Sequence, residues 1–468
     1  MSKEKQLVKN TLIYAIGNFG SKLLTFLLLP IYTKYLLKSE YGYFDLIVNT
    51  VSLLMPIISF QVMDGIYRFI LVEEDKDEQK KYISNGVLIV IRNILLFTIV
   101  YVIAAFVFKM QNSVLIYLYL ITTIFYTLWA QITRGLKKNL DYSIAGVIIT
   151  IVTLSLNIIF IVKFNFRVNG LIVSYIIANL IAIIYLEYKV RIVNLVKLSL
   201  KENTIKNKLN KYSIPLIPNT MSWWMMNVSD RYMITYFLDA SVNGLYAMAN
   251  KFSSIIVIIN SFFSLAWQES AILEYNKNDR DEYYTRMFNV YMKLQFTGML
   301  VLLPLTRLVF NILIKGEYVE GYRLVPILYM ASIFSAFSVF YGTGYLSVND
   351  TKGSFYTTII GALLNIFINI FTIPVLGIYG AGVSTLLSYL VVWILRVIQT
   401  KKYFKINIDK KSFSVLLILN IIFSILYYIP SLKLQLLIMI VSIVIFIIYN
   451  KELVKKILNL LTKIKFSR

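Results

Sequence analysis

The sequence predicts an all-α, polytopic membrane protein with about fourteen transmembrane helices. Of its 468 residues, 58% are hydrophobic and only 15% are charged, whereas a soluble domain carries roughly a quarter charged residues. Apolar runs of about 20 residues recur from end to end, and each can cross about 30 Å of hydrocarbon as a helix. The runs lack the alternating period of barrel strands, so helices are expected throughout.

The spans follow one another along the chain by hydropathy and length. The first is expected to remain as a helix, because its apolar run is longer than a signal-peptide core and continues to Pro30 without a small-residue cleavage site. The first six spans cover residues 10–32, 43–64, 83–108, 113–133, 143–163 and 170–188. The others cover residues 213–237, 245–267, 285–310, 323–348, 357–375, 380–400, 412–428 and 432–449.

The connections between the spans carry a strong charge bias. About 33 of the 47 lysines and arginines fall at the termini and in the connections on one side, against about 9 on the other side. The positive-inside rule therefore predicts that both termini are cytoplasmic. Segment 451–468 places basic residues between apolar ones at helical spacing, which is typical either of a helix on the anionic cytoplasmic membrane surface or of a solvated helix.

An internal repeat divides the first twelve spans into two halves. At an offset of 202 residues, TKYLLKSEYGYF (33–44) aligns without a gap with TYFLDASVNGLY (235–246). Further along, at the nearly equal offset of 212, Asn157 and Gly170 recur as Asn369 and Gly382. Six helices per half imply lobes related by a pseudo-twofold axis along the membrane normal, with a site between them near the midplane. The predicted division is an N-terminal lobe (1–188), a basic cytoplasmic linker (189–212), a C-terminal lobe (213–400), two additional transmembrane helices (401–450) and a cytoplasmic tail (451–468).

Polar residues form stripes on the first, second, seventh and eighth spans, at positions that the repeat pairs. The serines and threonines in these stripes are explained as well by hydrogen bonding between helices as by a role in function. The stripe residues of greatest interest are Asn18, Lys22, Asp45, Asn49, Trp224, Asn227, Asp230, Arg231 and Lys251.

The intramembrane charges cannot be accounted for in the same way as the hydroxyl groups. A Lys or Arg at the bilayer centre costs roughly 2.5–3.5 kcal/mol even on lenient insertion scales. Lys22, Arg231 and Lys251 lie well inside apolar spans, so we expect them to line a water-filled, cationic lumen. Arg92 and Lys293 lie nearer the cytoplasmic ends of their spans, where a long side chain can also reach the interface.

Composition argues against several classes of function. The chain has no cysteine and no histidine, so it lacks disulfides, the commonest general base and the commonest metal ligand. We therefore expect no catalytic residue, metal or cofactor. The net charge of +23 sits between the spans rather than on a nucleic-acid-binding face, and no G-x-x-x-x-G-K-[ST] sequence is present to bind ATP.

Three segments carry a family likeness that extends in order over nearly the whole chain. PLIPNTMSWWMMNVSDRYMI followed by GLYAMANKF resembles the seventh and eighth helices of Wzx-type polysaccharide flippases, and LLPIYTKYLLKSEYGYFDL and RGLKKNLDYSIAGV resemble two other segments of the same proteins. These flippases belong to the multidrug/oligosaccharidyl-lipid/polysaccharide exporter superfamily. The resemblance implies two six-helix lobes whose first, second, seventh and eighth helices line a cationic lumen. It also implies transfer of undecaprenyl-diphosphate-linked oligosaccharide to the outer leaflet of a bacterial cytoplasmic membrane.

Candidate roles follow for the polar residues under this resemblance. Lys22, Arg68, Arg231 and Lys251 would pair with the diphosphate, and Asn18, Asn49, Trp224, Asn227, Arg92 and Lys293 are additional lumen candidates. Asp45, Asp64 and Asp230 are candidates for coupling to a proton or sodium ion, although Asp230 serves equally well to neutralise a neighbouring cation. In related lipid-linked precursor flippases, two extra C-terminal helices form a groove for the isoprenoid tail, so membrane lipid is a further expected partner.

Alternative functions stay open at this point. A peptidoglycan-precursor flippase is the closer alternative, because the sequence does not specify the sugar that is carried. A cation-coupled multidrug antiporter of the same superfamily is disfavoured, because its lumen should be dominated by acids. A polytopic polysaccharide polymerase or ligase is disfavoured by the short external connections and the lack of histidine, although polymerase machinery is an expected partner.

Overall fold

The computed structural model describes residues 26, 28–348, 351–452 and 454–455, and every regular element in these ranges is helical. Eleven of the described helices are long and apolar enough to cross a membrane. The predicted all-α, multi-pass class is therefore confirmed. The chain separates into two compact units, Met1–Val228 (unit 1) and Ser229–Arg468 (unit 2), while the predicted lobe and linker boundaries stay a prediction.

Unit 1 consists of helices joined by short connections. A π-helix, Ile158–Lys163, continues one of its long helices, and the last helix of unit 1 runs on into unit 2. The α-helices are α1 (Leu29–Tyr35), α2 (Lys38–Ile58), α3 (Val62–Val72), α4 (Lys76–Val107), α5 (Ser113–Gly135), α6 (Asn139–Asn157), α7 (Arg167–Val190), α8 (Ile192–Leu195), α9 (Asn203–Ser213) and α10 (Ile217–Phe237).

Unit 2 contains longer helices, and a 3₁₀-helix, Gly316–Leu324, precedes one of them. Its aromatic core is extensive, with many fully buried Phe and Tyr side chains. The α-helices after α10 are α11 (Ala240–Glu274), α12 (Arg280–Leu313), α13 (Val325–Ser347), α14 (Thr351–Leu376), α15 (Ile378–Thr400), α16 (Lys410–Leu426) and α17 (Leu432–Tyr449).

Three predicted spans are not among the eleven. The first, at residues 10–32, lies mostly outside the described residues, as does most of the predicted tail at 451–468. The seventh is helical as α10, and the thirteenth is helical as α16 with 17 residues.

The second predicted span, 43–64, is interrupted near its C-terminal end. Helix α2 ends at Ile58 and α3 begins at Val62, and Phe60 and Gln61 between them adopt left-handed backbone conformations with φ of 50° and 54°. Residues other than glycine rarely adopt this conformation, so the surrounding contacts must hold the break in place.

The basic linker after α7 is a folded part of unit 1. Ile205 and Leu209 of α9 are buried. The Asn85 side chain of α4 donates to the Leu200 carbonyl at 2.8 Å and accepts the Glu202 amide at 2.9 Å. These contacts fix the linker against the ends of the membrane helices.

A buried arginine holds three helices of unit 2 together. Arg396 of α15 is 1% exposed, and its guanidinium donates to the Ser338 carbonyl at 2.7 Å, to Thr357 Oγ1 at 3.1 Å and to Thr358 Oγ1 at 3.0 Å. A Cβ atom at Gly342 would lie 2.5 Å from the same guanidinium, so a larger residue there would displace the arginine from these contacts. The polar contacts compensate the desolvation of this charge and tie α13, α14 and α15 together.

Candidate functional site

Asn18 and Lys22, two of the predicted lumen residues, lie outside the described residues. The other predicted site residues are divided between the two units, and each unit has its own polar cluster.

Trp224 joins the polar stripe of α2 in unit 1. Its indole Nε1 donates to the Asn49 carbonyl at 3.0 Å and lies 3.1 Å from Ser52 Oγ. The Asn49 side chain donates to the backbone carbonyl of Asp45, one turn earlier, at 2.7 Å. Three residues predicted separately from the sequence are therefore neighbours on one polar face.

Asp64 lies directly after the break between α2 and α3. Its two carboxylate oxygens accept the side-chain amides of Gln61 at 2.9 Å and Gln131 at 3.3 Å. Thr220 of α10 donates to the Gln61 side-chain oxygen at 3.1 Å. Through this network, side chains of α5 and α10 contact the residues at the break. These contacts hold the left-handed residues in place.

Two predicted cations of unit 1 are exposed. The Arg68 guanidinium stacks 4.8 Å from the ring centre of Tyr212, which positions it where α3 meets α9. The Arg92 guanidinium donates to the neighbouring Asn93 side-chain oxygen at 2.9 Å. Both remain open to an anionic ligand.

Asp230 is the most buried of the predicted acids, with 2% of its surface exposed. Tyr246 of α11 donates its hydroxyl to one carboxylate oxygen, and Thr385 of α15 lies 3.4 Å from the same oxygen. The other oxygen accepts the Arg231 backbone amide at 2.9 Å. Tyr246 is itself fully buried, so this carboxylate sits in a closed polar pocket of unit 2.

Two buried asparagines of α14 extend this pocket. Asn365 accepts the Ser229 hydroxyl at 2.9 Å and the Asn369 amide at 3.1 Å, and its own amide lies 3.5 Å from the Thr385 hydroxyl. Asn369 is fully buried, and its side-chain oxygen accepts no hydrogen bond from the part of the chain that the structure describes. A carboxylate with nearby hydroxyl and amide oxygens is suited to a proton or a small monovalent cation.

The predicted cations of unit 2 lie next to this cluster in the sequence. Arg231 follows Asp230 on α10 and is half-buried, and Lys251 is half-buried on α11. Asn227 is exposed, and its amide donates to the Trp223 carbonyl at 2.6 Å. The roles of these residues stay a prediction.

Lys293 has an identified partner. Its ammonium lies 3.0 Å from Asp409, the residue that caps α16. The hydrogen bonds from Ser412, with a smaller contribution from Lys293, lower the pKa of Asp409 to about 2. This ion pair fixes α16 to α12, which is a structural role that the sequence did not indicate.

An apolar groove runs beside the last helix. It has a volume of about 380 Å³. Gly298 of α12 lines it, and apart from the helix's own backbone no atom of the described residues lies within 4 Å of where its Cβ would be. Asn450 at the end of α17 donates to Thr297 of α12 at 2.9 Å, which anchors one wall of the groove. The groove is lined by side chains of α11, α12 and α17 that include Ile256, Ile259, Leu294, Met299, Ile443 and Phe446.

Several residues of these clusters were missed by the sequence reasoning. Asn365 and Asn369 are four residues apart in an apolar span, and Gln131 is a lone amide in another. Polar amides at membrane depth are a usable signal, because hydrocarbon does not satisfy their hydrogen bonds. Tyr246 and Thr385 carried no such signal, since isolated hydroxyls are common in membrane helices.

The fold is shared with membrane transport proteins of known structure. Lipid II flippase MurJ, in an inward closed conformation, matches with a TM-score of 0.73 and 12% identity, over 96% of this chain and 100% of that chain. An inward-facing multidrug resistance MATE family transporter of the MOP superfamily matches with a TM-score of 0.66 and 13% identity, over 81% of this chain and 94% of that one. The chain therefore shares the fold of these two proteins.

Sequence comparison defines the family. The polysaccharide biosynthesis protein family matches residues 7–268, which is more than half of the chain, so the chain belongs to this family. An uncharacterised membrane protein of Methanocaldococcus jannaschii is 23% identical over 446 residues, covering 85% of this chain and 84% of that protein. The predicted likeness to a polysaccharide family is therefore confirmed at the level of the polysaccharide biosynthesis protein family.

Proposed function

We propose that this protein is a flippase that carries undecaprenyl-diphosphate-linked oligosaccharide from the cytoplasmic to the outer leaflet of a bacterial plasma membrane. Both termini are cytoplasmic in this proposal, because the basic connections lie on their side. The observation that carries the proposal is the apolar groove beside α17, found in a chain of the polysaccharide biosynthesis family. A long isoprenoid chain requires such a continuous apolar surface, whereas a small hydrophilic solute does not.

The diphosphate requires cations along its path. Opposite unit charges 4 Å apart attract by about 4 kcal/mol at an effective dielectric constant near 20, which offsets part of the cost of moving the headgroup from water. Lys22, Arg68, Arg231 and Lys251 supply this pairing in the proposal. Hydrogen-bonding groups such as Asn49 and Trp224 would meet the sugars.

Asp230 is the proposed ion-coupling residue. It is the most buried of the three candidate acids, and its neighbours Tyr246, Thr385 and Asn365 offer oxygens within the same pocket. Asp64 instead has an amide on each carboxylate oxygen, which leaves less room for a cation. An inside-negative potential also favours export of an anionic headgroup, by about 2.3 kcal/mol per charge per 100 mV. A passive facilitator, with direction set by polymerase machinery that consumes the product, is the alternative.

A peptidoglycan-precursor flippase is the second candidate. The likeness of the fold to lipid II flippase MurJ favours it. The two candidates share the lipid and the diphosphate and differ in the sugar, so comparison of the two substrates in one assay separates them. The likeness to a MATE transporter also keeps a drug antiporter as a third outcome of that assay.

The proposal predicts flipping by the purified chain without ATP. Vesicles that contain the protein and fluorescent undecaprenyl-diphosphate oligosaccharide should expose the headgroup in the opposite leaflet faster than protein-free vesicles. Collapse of the membrane potential should slow the transfer, and ATP alone should not restore it. Equal rates with and without the protein, for both the oligosaccharide and the peptidoglycan precursor, would reject the flippase function.

The groove predicts dependence on the length of the lipid. Replacement of Gly298 with Phe should fill the groove, because among the described residues only the backbone of α12 itself comes within 4 Å of its Cβ position. We expect transfer of the full-length undecaprenyl substrate to fall about tenfold or more, while transfer of an analogue with a short isoprenoid chain is retained, since only the long chain needs the groove. Gly146→Phe on α6, an equally open position outside the groove, is the control and should transfer both substrates. Equal losses for long and short lipids would show that the groove does not hold the tail.

A further inference from the structure

A polar pocket of about 380 Å³ lies at one end of unit 1, where three connections between helices meet. These connections precede α2, α5 and α7, at the ends of the helices opposite to the basic linker 189–212. In the orientation predicted by the basic residues, the pocket therefore opens on the external side of the membrane. None of the predicted lumen residues that the structure describes lines it.

The described residues that line the pocket are rich in hydrogen-bonding groups, and their one negative and one positive charge balance. Glu40 accepts the Arg167 guanidinium at 3.0 Å and the Leu37 backbone amide at 2.9 Å, so its only basic neighbour in the lining is already paired. Side-chain amides supply both donors and acceptors around this pair, at Gln111, Asn112, Asn165 and Asn169. A phosphate would need an unpaired cation, whereas this mixture suits a neutral ligand with many hydroxyl groups.

An aromatic wall borders the amides. Phe166 is 52% exposed, and its ring stacks with those of Phe160 and Phe164, at centroid distances of 5.9 and 5.6 Å. Tyr43, in the second turn of α2, donates its hydroxyl to the Gln111 carbonyl at 3.0 Å. A sugar ring carries hydroxyl groups at its edge and apolar C–H groups on its faces. Polar side chains can hold the hydroxyls while an aromatic ring contacts the C–H groups, so this combination suits a sugar ring.

The backbone of these connections is strained at several places. Asn112, Asn165 and Arg167 have left-handed conformations, with φ of 56°, 52° and 47°. Asparagine tolerates this conformation well, but arginine does so at a cost of about 1–3 kcal/mol. Asparagine is favoured before a helix because its side chain can cap the first backbone amides. Asn112 precedes α5, but its side chain makes no such capping hydrogen bond.

We propose that this pocket is an external saccharide-binding site, which contacts neutral sugars of the oligosaccharide as it leaves the transport path. The site rests on the proposed transport of lipid-linked oligosaccharide, and it adds a place where the sugars are recognised apart from the diphosphate. Phe166 would pack against a sugar face, while Asn112 and Asn165 hydrogen-bond its hydroxyls. Recognition of sugars on the external side would hinder return of the headgroup.

The test uses the full chain in lipid nanodiscs and the soluble oligosaccharide freed from its lipid diphosphate by mild acid. Saturation-transfer NMR should show transfer of magnetisation to the sugar protons. The double variant Asn112→Gly/Asn165→Gly removes both amides at positions where glycine accepts the backbone conformation, so the fold should be kept. We expect the signal to fall about fivefold or more.

Two control variants distinguish loss of this site from a general disturbance of the protein and from binding at the diphosphate cations. Lys109→Gly changes a residue with φ of 46° that does not line the pocket, and it should keep the signal. Arg231→Gln should also keep the signal, because the soluble sugar has no diphosphate. If the signal is absent from the wild-type chain, or unchanged in the double variant, the proposal that this pocket binds saccharide is wrong. Flipping of lipid-linked oligosaccharide with no saccharide binding would reject the pocket alone, whereas saccharide binding without any flipping would reject the proposed transport.

Discussion

Replacement of Arg231 with Gln is expected to abolish transport of lipid-linked oligosaccharide while leaving the amount of folded protein unchanged. Arg231 is half-buried on α10, directly after the buried Asp230. An uncompensated diphosphate charge in a site of effective dielectric constant near 20 loses about 4 kcal/mol, equivalent to about a thousandfold in rate. The measurement is the transfer of the headgroup across vesicles that contain equal amounts of each protein.

Two further variants define the reason for that loss. Arg231→Lys keeps the charge and loses the planar, bidentate geometry, so we expect part of the activity to remain. Arg280→Gln removes a guanidinium that pairs with Asp281 at the start of α12, and it should leave transport unchanged. Transport by Arg231→Gln at the rate of the wild-type protein would show that this arginine does not bind the diphosphate.

Replacement of Asp230 with Asn is expected to remove the dependence of transport on an ion gradient without loss of substrate binding. Asparagine has almost the shape of aspartate and can still accept the hydroxyl of Tyr246, so the pocket should stay folded. The neutral side chain cannot exchange a proton and binds a monovalent cation weakly. A gradient equivalent to 100 mV supplies about 2.3 kcal/mol per charge, so the stimulation that disappears can reach about 50-fold.

The matched control is Asp64→Asn in unit 1. Its carboxylate already has two amide partners, and we expect the gradient dependence to remain when it is neutralised. The measurement is headgroup transfer with imposed proton and sodium gradients, together with substrate binding at equilibrium. Full gradient dependence in Asp230→Asn would reject Asp230 as the coupling residue, and its loss only in Asp64→Asn would move the coupling site to unit 1. Wild-type transport that ignores both gradients would identify a passive facilitator.

The positions of the helices could be predicted because their signal is local. A segment in hydrocarbon must satisfy its own backbone hydrogen bonds, so length and hydropathy alone indicate a helix. The predicted spans at 113–133 and 380–400 accordingly lie within two residues of α5 and α15 at each end. The intramembrane acids and bases could also be singled out, because each carries a cost that does not depend on its neighbours.

The break between α2 and α3 was not predictable in the same way. Phe60 and Gln61 adopt left-handed conformations that neither residue favours by itself. Gln131 and Thr220, which are distant in sequence, supply the contacts to Asp64 and Gln61 that stabilise this arrangement. Only the packing of three helices creates that set of contacts.

The sequence by itself determined that this is a multi-pass helical membrane protein with charged residues inside its spans, because hydropathy and charge act residue by residue. The tertiary structure decided which of these charges are buried and which side chains are their partners. Asp230 receives Tyr246 and Thr385 from two other helices, whereas Lys293 is drawn to Asp409 and fixes α16 to α12. Such partners come from segments up to 155 residues apart. Their contacts depend on how the helices pack, so no local sequence pattern predicts them.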